Sequence, residues 1–279
     1  MNNKVLVIAG MHRSGTSLIT QWLQRCGLQI GDRLLGVGFD NVEGHFEDCD
    51  FVELHEKLLA ENNLDSTGLV LDKKPAFSEK QKAEIAQLVH HKNQLYPAWA
   101  WKDPRTCLFL PEYKDIIPDA FYLVIVRDYK AVVSSLLSRM HKDAEMRYRQ
   151  KGLFKRLLWN TIEKNSRKKL LLRKYGWKSL MACTVYNEQL LEHIQTLPGG
   201  KYILVDYAQL SRQDNEVFST LQRQWQFPLR YIPFTDVYKE NLISRQWDFL
   251  PHIKDKALIE RAQASEENLR NAIKNANAF

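Results

Sequence analysis

Lys4-Val-Leu-Val-Ile-Ala-Gly10-Met-His-Arg-Ser-Gly15-Thr-Ser-Leu18 is the stretch on which the fold class turns. After Lys4 come five apolar residues bounded by Gly10, the pattern of a parallel strand buried on both faces. Beyond a short loop, Leu18, Ile19, Trp22, Leu23 and Cys26 recur at helical spacing, and Gly27 closes the element. A loop that enters a helix N-terminus offers backbone N–H groups and a dipole to an anion. Gly10, Gly15, Thr16 and Ser17 nearly meet the phosphate-loop pattern GxxxxGK[ST], with Thr16 where the lysine belongs. The cation sits inside the loop instead, at Arg13. A Gly-Ser-Thr loop can also be a plain cap and turn, but its place after the first strand favours the anion site.

The rest of the chain extends this strand-loop-helix unit. Glu47 to Ala60 shows helical spacing through Phe51, Leu54, Leu58 and Leu59. Ser78 and Gln81 form a capping box that opens a helix through His90. Ala98 to Lys102 reads as a strand stopped by Asp103-Pro104. Ala120 to Val126 is the strongest strand, ending at Arg127-Asp128, with a helix after it. Helical stretches follow at about 153–175 and 178–196, then a strand from Tyr202 to Val205 and a helix over 208–226. Strands alternating with helices predict a three-layer α/β fold, a central parallel sheet with helices on both faces, like that of the P-loop nucleotide hydrolases. The whole of 1–279 reads as one domain, with about 139–200 a mostly helical insertion or substrate-side segment. In such sheets ligands bind at the carboxyl ends of the strands.

Composition sets the outer limits. With 44% hydrophobic and 26% charged residues, and only 12 Gly and 9 Pro, the chain is neither collagenous nor disordered. The longest apolar run, Ala120 to Val126, is far short of the roughly 18 residues that span a bilayer. Cys26, Cys49, Cys107 and Cys183 are scattered and form no metal-binding or disulfide pattern, so a cytoplasmic setting is expected. The net charge of +7 is uneven. Between Arg139 and Lys178, fourteen Lys/Arg face only Asp143, Glu145 and Glu163. This is either a solvated helical face or a funnel for an anionic ligand. No nucleic-acid-reading motif accompanies it.

A second anion site is suggested where the strongest strand ends. Arg127 offers a planar fork there, and Ser135 a hydroxyl from the following helix. Together with the first loop, this describes two separated anion pockets.

Here the residues resemble a family. Gly10-Met-His-Arg-Ser-Gly-Thr-Ser-Leu18 is similar to the 5′-phosphosulfate loop of sulfotransferases that use 3′-phosphoadenosine 5′-phosphosulfate (PAPS). Arg127 with Ser135 resembles their 3′-phosphate clamp. Trp101-Lys-Asp-Pro-Arg105, Asn41-Val-Glu-Gly-His-Phe-Glu-Asp48 and Val205-Asp-Tyr-Ala-Gln-Leu210 resemble further blocks of the bacterial branch. The likeness covers scattered blocks over roughly residues 4–210. The Arg-Lys-Gly-x-x-Gly loop of the cytosolic eukaryotic enzymes is missing.

The resemblance implies sulfuryl transfer from PAPS to a hydroxyl or amine, without a metal. Arg13, Ser14, Gly15, Thr16 and Ser17 would hold the phosphosulfate, with Arg13 meeting the charge that grows on the bridging oxygen. An acceptor hydroxyl also needs a base. The candidates are Glu43, His45, Glu47 and Asp103. Glu47 ranks first because it opens a predicted helix, whose dipole favours the ionised form. His45 also reads as a surface or cap residue, and Asp103 as a brace for Lys102 or Arg105. The acceptor is not legible, though an anionic one would suit the basic segment. The rivals are a small-molecule kinase using ATP and Mg²⁺, and a basic polyanion-binding module.

Overall fold

A computed structural model describes residues 3–36, 44–71, 75–150, 164–238 and 246–276. Four strands, β1 (Lys4–Ala9), β2 (Ala98–Lys102), β3 (Phe121–Val126) and β4 (Tyr202–Asp206), make one parallel sheet in the order β2-β1-β3-β4. Register pairs Ile8 with Lys102 and with Leu123, so β2 ends beside the end of β1 while β3 runs two residues further, to Val126. The described helices are α1 (Thr16–Arg25), α2 (Cys49–Glu61), α3 (Glu79–Leu95), α4 (Leu110–Ile116), α5 (Tyr129–Arg149), α6 (Lys164–Gln195), α7 (Leu210–Ser219) and α8 (Lys256–Ala276).

Alternation along the strands builds two cores, because successive side chains leave a sheet on opposite faces. Val5, Val7, Ala9, Trp101, Val124 and Val126 face one layer with Val133 and Leu137 of α5, Leu180 and Tyr186 of α6, and Leu269 of α8. Leu6, Ile8, Leu123, Ile125 and Val205 face the other, with Ile19 and Trp22 of α1 and Phe218 of α7. The expected three layers are therefore present.

Three details differ from the sequence reading. First, the separate helices expected to meet near 175–178 are one helix, α6, from Lys164 onward; residues 153–163 lie outside the described residues. Gly176 lies within it, buried against Ile253 and Phe249. Second, α2 starts at Cys49, not at Glu47. Asp48 is its N-cap and accepts from the Asp50 N–H at 3.0 Å. Third, α8 was not anticipated. It holds the sheet's far end: Glu266 accepts from the Tyr129 N–H at 2.6 Å, and Arg270 pairs with Asp206.

Candidate active site

The sheet order brings the anion-binding elements together. Gly15 is the N-cap of α1 at φ 101°, a conformation that suits glycine. The Tyr207 ring leaves no room for a side chain there, since an added Cβ would come within 2.3 Å of it. The N–H groups of Gly15, Thr16 and Ser17 consequently open the helix with no side-chain cap. Arg13 is itself left-handed, at φ 68°. Its Nε donates to Ser135 Oγ at 3.0 Å, while Arg127 Nη1 donates to the Arg13 carbonyl at 2.8 Å. The two expected anion sites thus lie side by side, because β1 and β3 are neighbours. Arg127 also lies 4.5 Å above the Tyr207 ring and has no carboxylate partner among the described residues.

β2 adds a cation that the sequence reading passed over. Lys102, paired in register with Ile8, is buried; its Nζ donates to Ser17 Oγ at 3.1 Å and to Glu47 Oε1 at 2.6 Å. The phosphate-loop lysine missing at position 16 thus has a counterpart arriving from the adjacent strand. A strand-terminal lysine before Asp-Pro was the available signal, but only the strand order makes it meaningful.

Glu47 reaches this lysine from the turn before α2. Its carbonyl accepts from the Leu35 N–H at 2.8 Å, and the Cys49 N–H donates to the Arg33 carbonyl at 2.8 Å. Next door, buried Asp48 pairs with the buried Lys92 at 2.6 Å. Gly31, at φ 126°, lets Asp48 lie against the backbone, where a Cβ would come within 2.6 Å of its carboxylate. The Lys92 ammonium is held up by these carboxylates despite burial. Glu47 is therefore aimed by a braced turn and not by a helix dipole.

An open cavity of about 410 Å³ lies in front of this cluster. Its walls include Arg13, Thr16 and Ser17 from the loop, Glu47 and His45 from the turn, and Glu53 and Glu56 from α2. Arg105 and Arg139 also line it. Of the expected bases, Glu47 and His45 thus line the cavity, and Glu43 lies outside the described residues.

Asp103 is fully buried beneath the cavity. It bonds His55 Nδ1 at 2.8 Å and Arg105 Nη1 at 3.1 Å, while His55 Nε2 meets Tyr113 Oη at 2.7 Å. Burial opposes its charge, but Arg105 and His55 outweigh that and hold its carboxyl below the usual carboxylate range. It braces Arg105, which also meets Glu56 at 2.5 Å.

Two buried polar atoms at the loop have no partner, Ser14 Oγ and His12 Nε2. Burial, then Arg105, lowers the His12 pKa to about 3, so its ring is neutral at physiological pH. Leaving such groups unpaired costs about 1–3 kcal/mol each, which a loop donor recovers when it meets an anion. Together with the free helix-start N–H groups and Arg127, the donor set fits a phosphosulfate.

Residues 6–230 match the sequence pattern of the sulfotransferase family. The chain belongs to that family. The crystal structure of a sulfotransferase from Alicyclobacillus acidocaldarius has the same fold, with a TM-score of 0.52 at 12% identity, covering 98% of this chain and 97% of that one. Two nematode relatives carry the description "Putative protein-tyrosine sulfotransferase". The Caenorhabditis elegans protein is 35% identical over 63 residues, 23% of this chain and 24% of its own. That of Caenorhabditis briggsae is 27% identical over 141 residues, 49% of this chain and 44% of its own. The chain thus spans less than half the length of these curated relatives. No helix among the described residues of this sulfotransferase-family chain is long and apolar enough to cross a membrane.

Proposed function

We propose that the chain acts as one domain that moves a sulfuryl group from PAPS to a hydroxyl or amine acceptor, without a metal. One observation carries this reading. Arg13, Lys102, Arg127 and the uncapped start of α1 converge at three adjacent strand ends, beside a cavity into which Glu47 projects. Family membership supports the choice of donor.

PAPS supplies an activated sulfuryl group on a phosphate. In this reading the Arg13–Ser17 loop holds its 5′ end, and Arg127 with Ser135 holds the 3′-phosphate. Arg13, Lys102 and the loop N–H groups meet the negative charge that develops as the bridging S–O bond breaks and its electron pair passes to the phosphate oxygen. Glu47 takes the proton that the acceptor hydroxyl loses as its oxygen bonds to sulfur. Lys102, already on the Glu47 carboxylate, holds that group in place at the cavity wall. Fixed cations do here what Mg²⁺ does in phosphoryl transfer.

Incubation with labelled PAPS and pooled acceptors tests the reaction. Label should reach an acceptor, releasing 3′-phosphoadenosine 5′-phosphate, with the rate unchanged by a chelator. Transfer from ATP that requires Mg²⁺, with PAPS inert, would establish the kinase reading instead.

A further inference from the structure

The basic segment divides in two. On α5 its charges are largely paired within the helix, Arg147 with Asp143 at 2.7 Å and Arg149 with Glu145 at 2.7 Å. On α6 they are not. Lys164, Lys168, Lys169, Arg173, Lys174 and Lys178 have no ion pair among the described residues, and no Asp or Glu occurs in α6 before Glu188. From Met181 on, α8 covers the outer side, Arg261 reaching Met181 at 3.7 Å and Glu188 at 2.6 Å. The half before that has no such cover on its outer side among the described residues.

This half is apolar as well as basic. Leu170 and Trp177 lie seven residues apart, two helical turns, and so share a face with Lys174 between them. They are 47% and 40% exposed, a high value for side chains of this size. The buried residues Leu172, Gly176, Ser179 and Leu180 mark the opposite side. Lys178 Nζ lies 5.6 Å from the Trp177 ring and Lys174 Nζ 5.4 Å from that of Tyr175, so the cations flank the aromatic rings.

We propose that the outer face of α6 over residues 164–178 docks on an anionic lipid surface. Charge complementarity singles out the sign of the partner. Shape singles out its kind: among the described residues the stripe is the convex outside of one helix, apart from the cavity, and a convex face has no groove of its own to grip a peptide. A planar headgroup layer needs none. It takes Trp at the level of the headgroups and lets the flanking lysines extend to phosphate. Each cation near such a surface raises affinity roughly 5-fold. The same helix carries Tyr186, nine residues past Trp177, whose ring stands 5.9 Å from that of His12. Nine residues are about two and a half turns, so Tyr186 and the loop lie on the side of α6 away from the docking face.

Vesicle co-sedimentation of the whole chain tests this without reference to catalysis. Phosphatidylcholine vesicles containing phosphatidylglycerol should bind it, and pure phosphatidylcholine should not. Raising salt should release it, since the Debye length falls to about 3 Å at 1 M. The triple reversal K169E/R173E/K174E should weaken binding by about 100-fold or more. W177A should weaken it several-fold and make what remains more salt-sensitive. All four side chains are exposed or outward-facing, and an unchanged melting temperature verifies the fold; if the reversal unfolds the chain, the Gln versions at the three sites give the same readout. Equal binding to neutral vesicles, wild-type binding by the triple variant, or binding to polyglutamate but not to anionic vesicles would each overturn the proposal.

Discussion

At the scale of single residues, the site separates groups that act from groups that hold. Glu47→Gln keeps shape and most hydrogen bonding but cannot take a proton. Turnover should fall about 10²–10⁴-fold while nucleotide affinity, measured by calorimetry, stays nearly constant. Full turnover in this variant would move the role to His45, the other expected base on the cavity wall. Lys102→Met should damage both properties, because the ammonium touches the loop hydroxyl and the Glu47 carboxylate at once. Arg13 and Arg127 could be picked out directly from the sequence, since each stands just beyond a strand end with a residue type suited to anions, and Ser135 from its place in the helix after β3. Lys102 and Tyr207 could not. Both matter because β2 and β4 flank the strands that carry the loops, and a chain read in one dimension does not contain strand order.

At the scale of elements, the turn that presents Glu47 depends on a buried charge cluster. Lys92 of α3 meets Asp48 at 2.6 Å and Asp50 at 2.7 Å, while Asp32 stands at 3.2 Å. Removing one partner leaves a buried charge uncompensated, which typically costs 3–5 kcal/mol. Lys92→Met should therefore lower the chemical-denaturation midpoint strongly and reduce turnover, although Lys92 does not line the cavity. A stable variant with full activity would show that the turn holds itself. Strands and most helices were legible because their apolar periods are long and their caps explicit, as at Ser78–Gln81. Two boundaries were not. Glu47 resembled a helix-opening carboxylate because Glu and Asp are adjacent at 47–48, and only the Asp48 bond to the Asp50 N–H assigns the cap. The stretches read as ending near 175 and starting near 178 are one helix, in which Gly176 is buried against Ile253 and Phe249.

At the scale of the whole molecule, folding and ligand binding have distinct electrostatic signatures. His193, buried against Tyr122 at 4.5 Å with its Nε2 unpartnered, has its pKa lowered to about 4 by desolvation. The His12 value is near 3. Both folded values lie below the unfolded value of about 6.5, so the unfolded chain binds more protons as pH falls through that point. Stability from these two rings is complete above pH ~6.5 and declines below it, by at most about 1.4 kcal/mol per pH unit for each ring. Thermal unfolding against pH should show this slope, and His193→Gln should remove part of it; an unchanged slope would place the acid sensitivity elsewhere. The central claim is that Arg127 and Ser135 complete a nucleotide site specific for a 3′-phosphate. It is tested most directly by calorimetric titration, in a chelator, of the wild type and of Arg127→Ala with 3′-phosphoadenosine 5′-phosphate and with adenosine 5′-phosphate. The wild type should prefer the first by the worth of a charge-assisted contact, about 1.5–3 kcal/mol, and the variant should lose that preference alone. Equal affinity of the wild type for both nucleotides, or binding that appears only when Mg²⁺ is restored, would contradict the account.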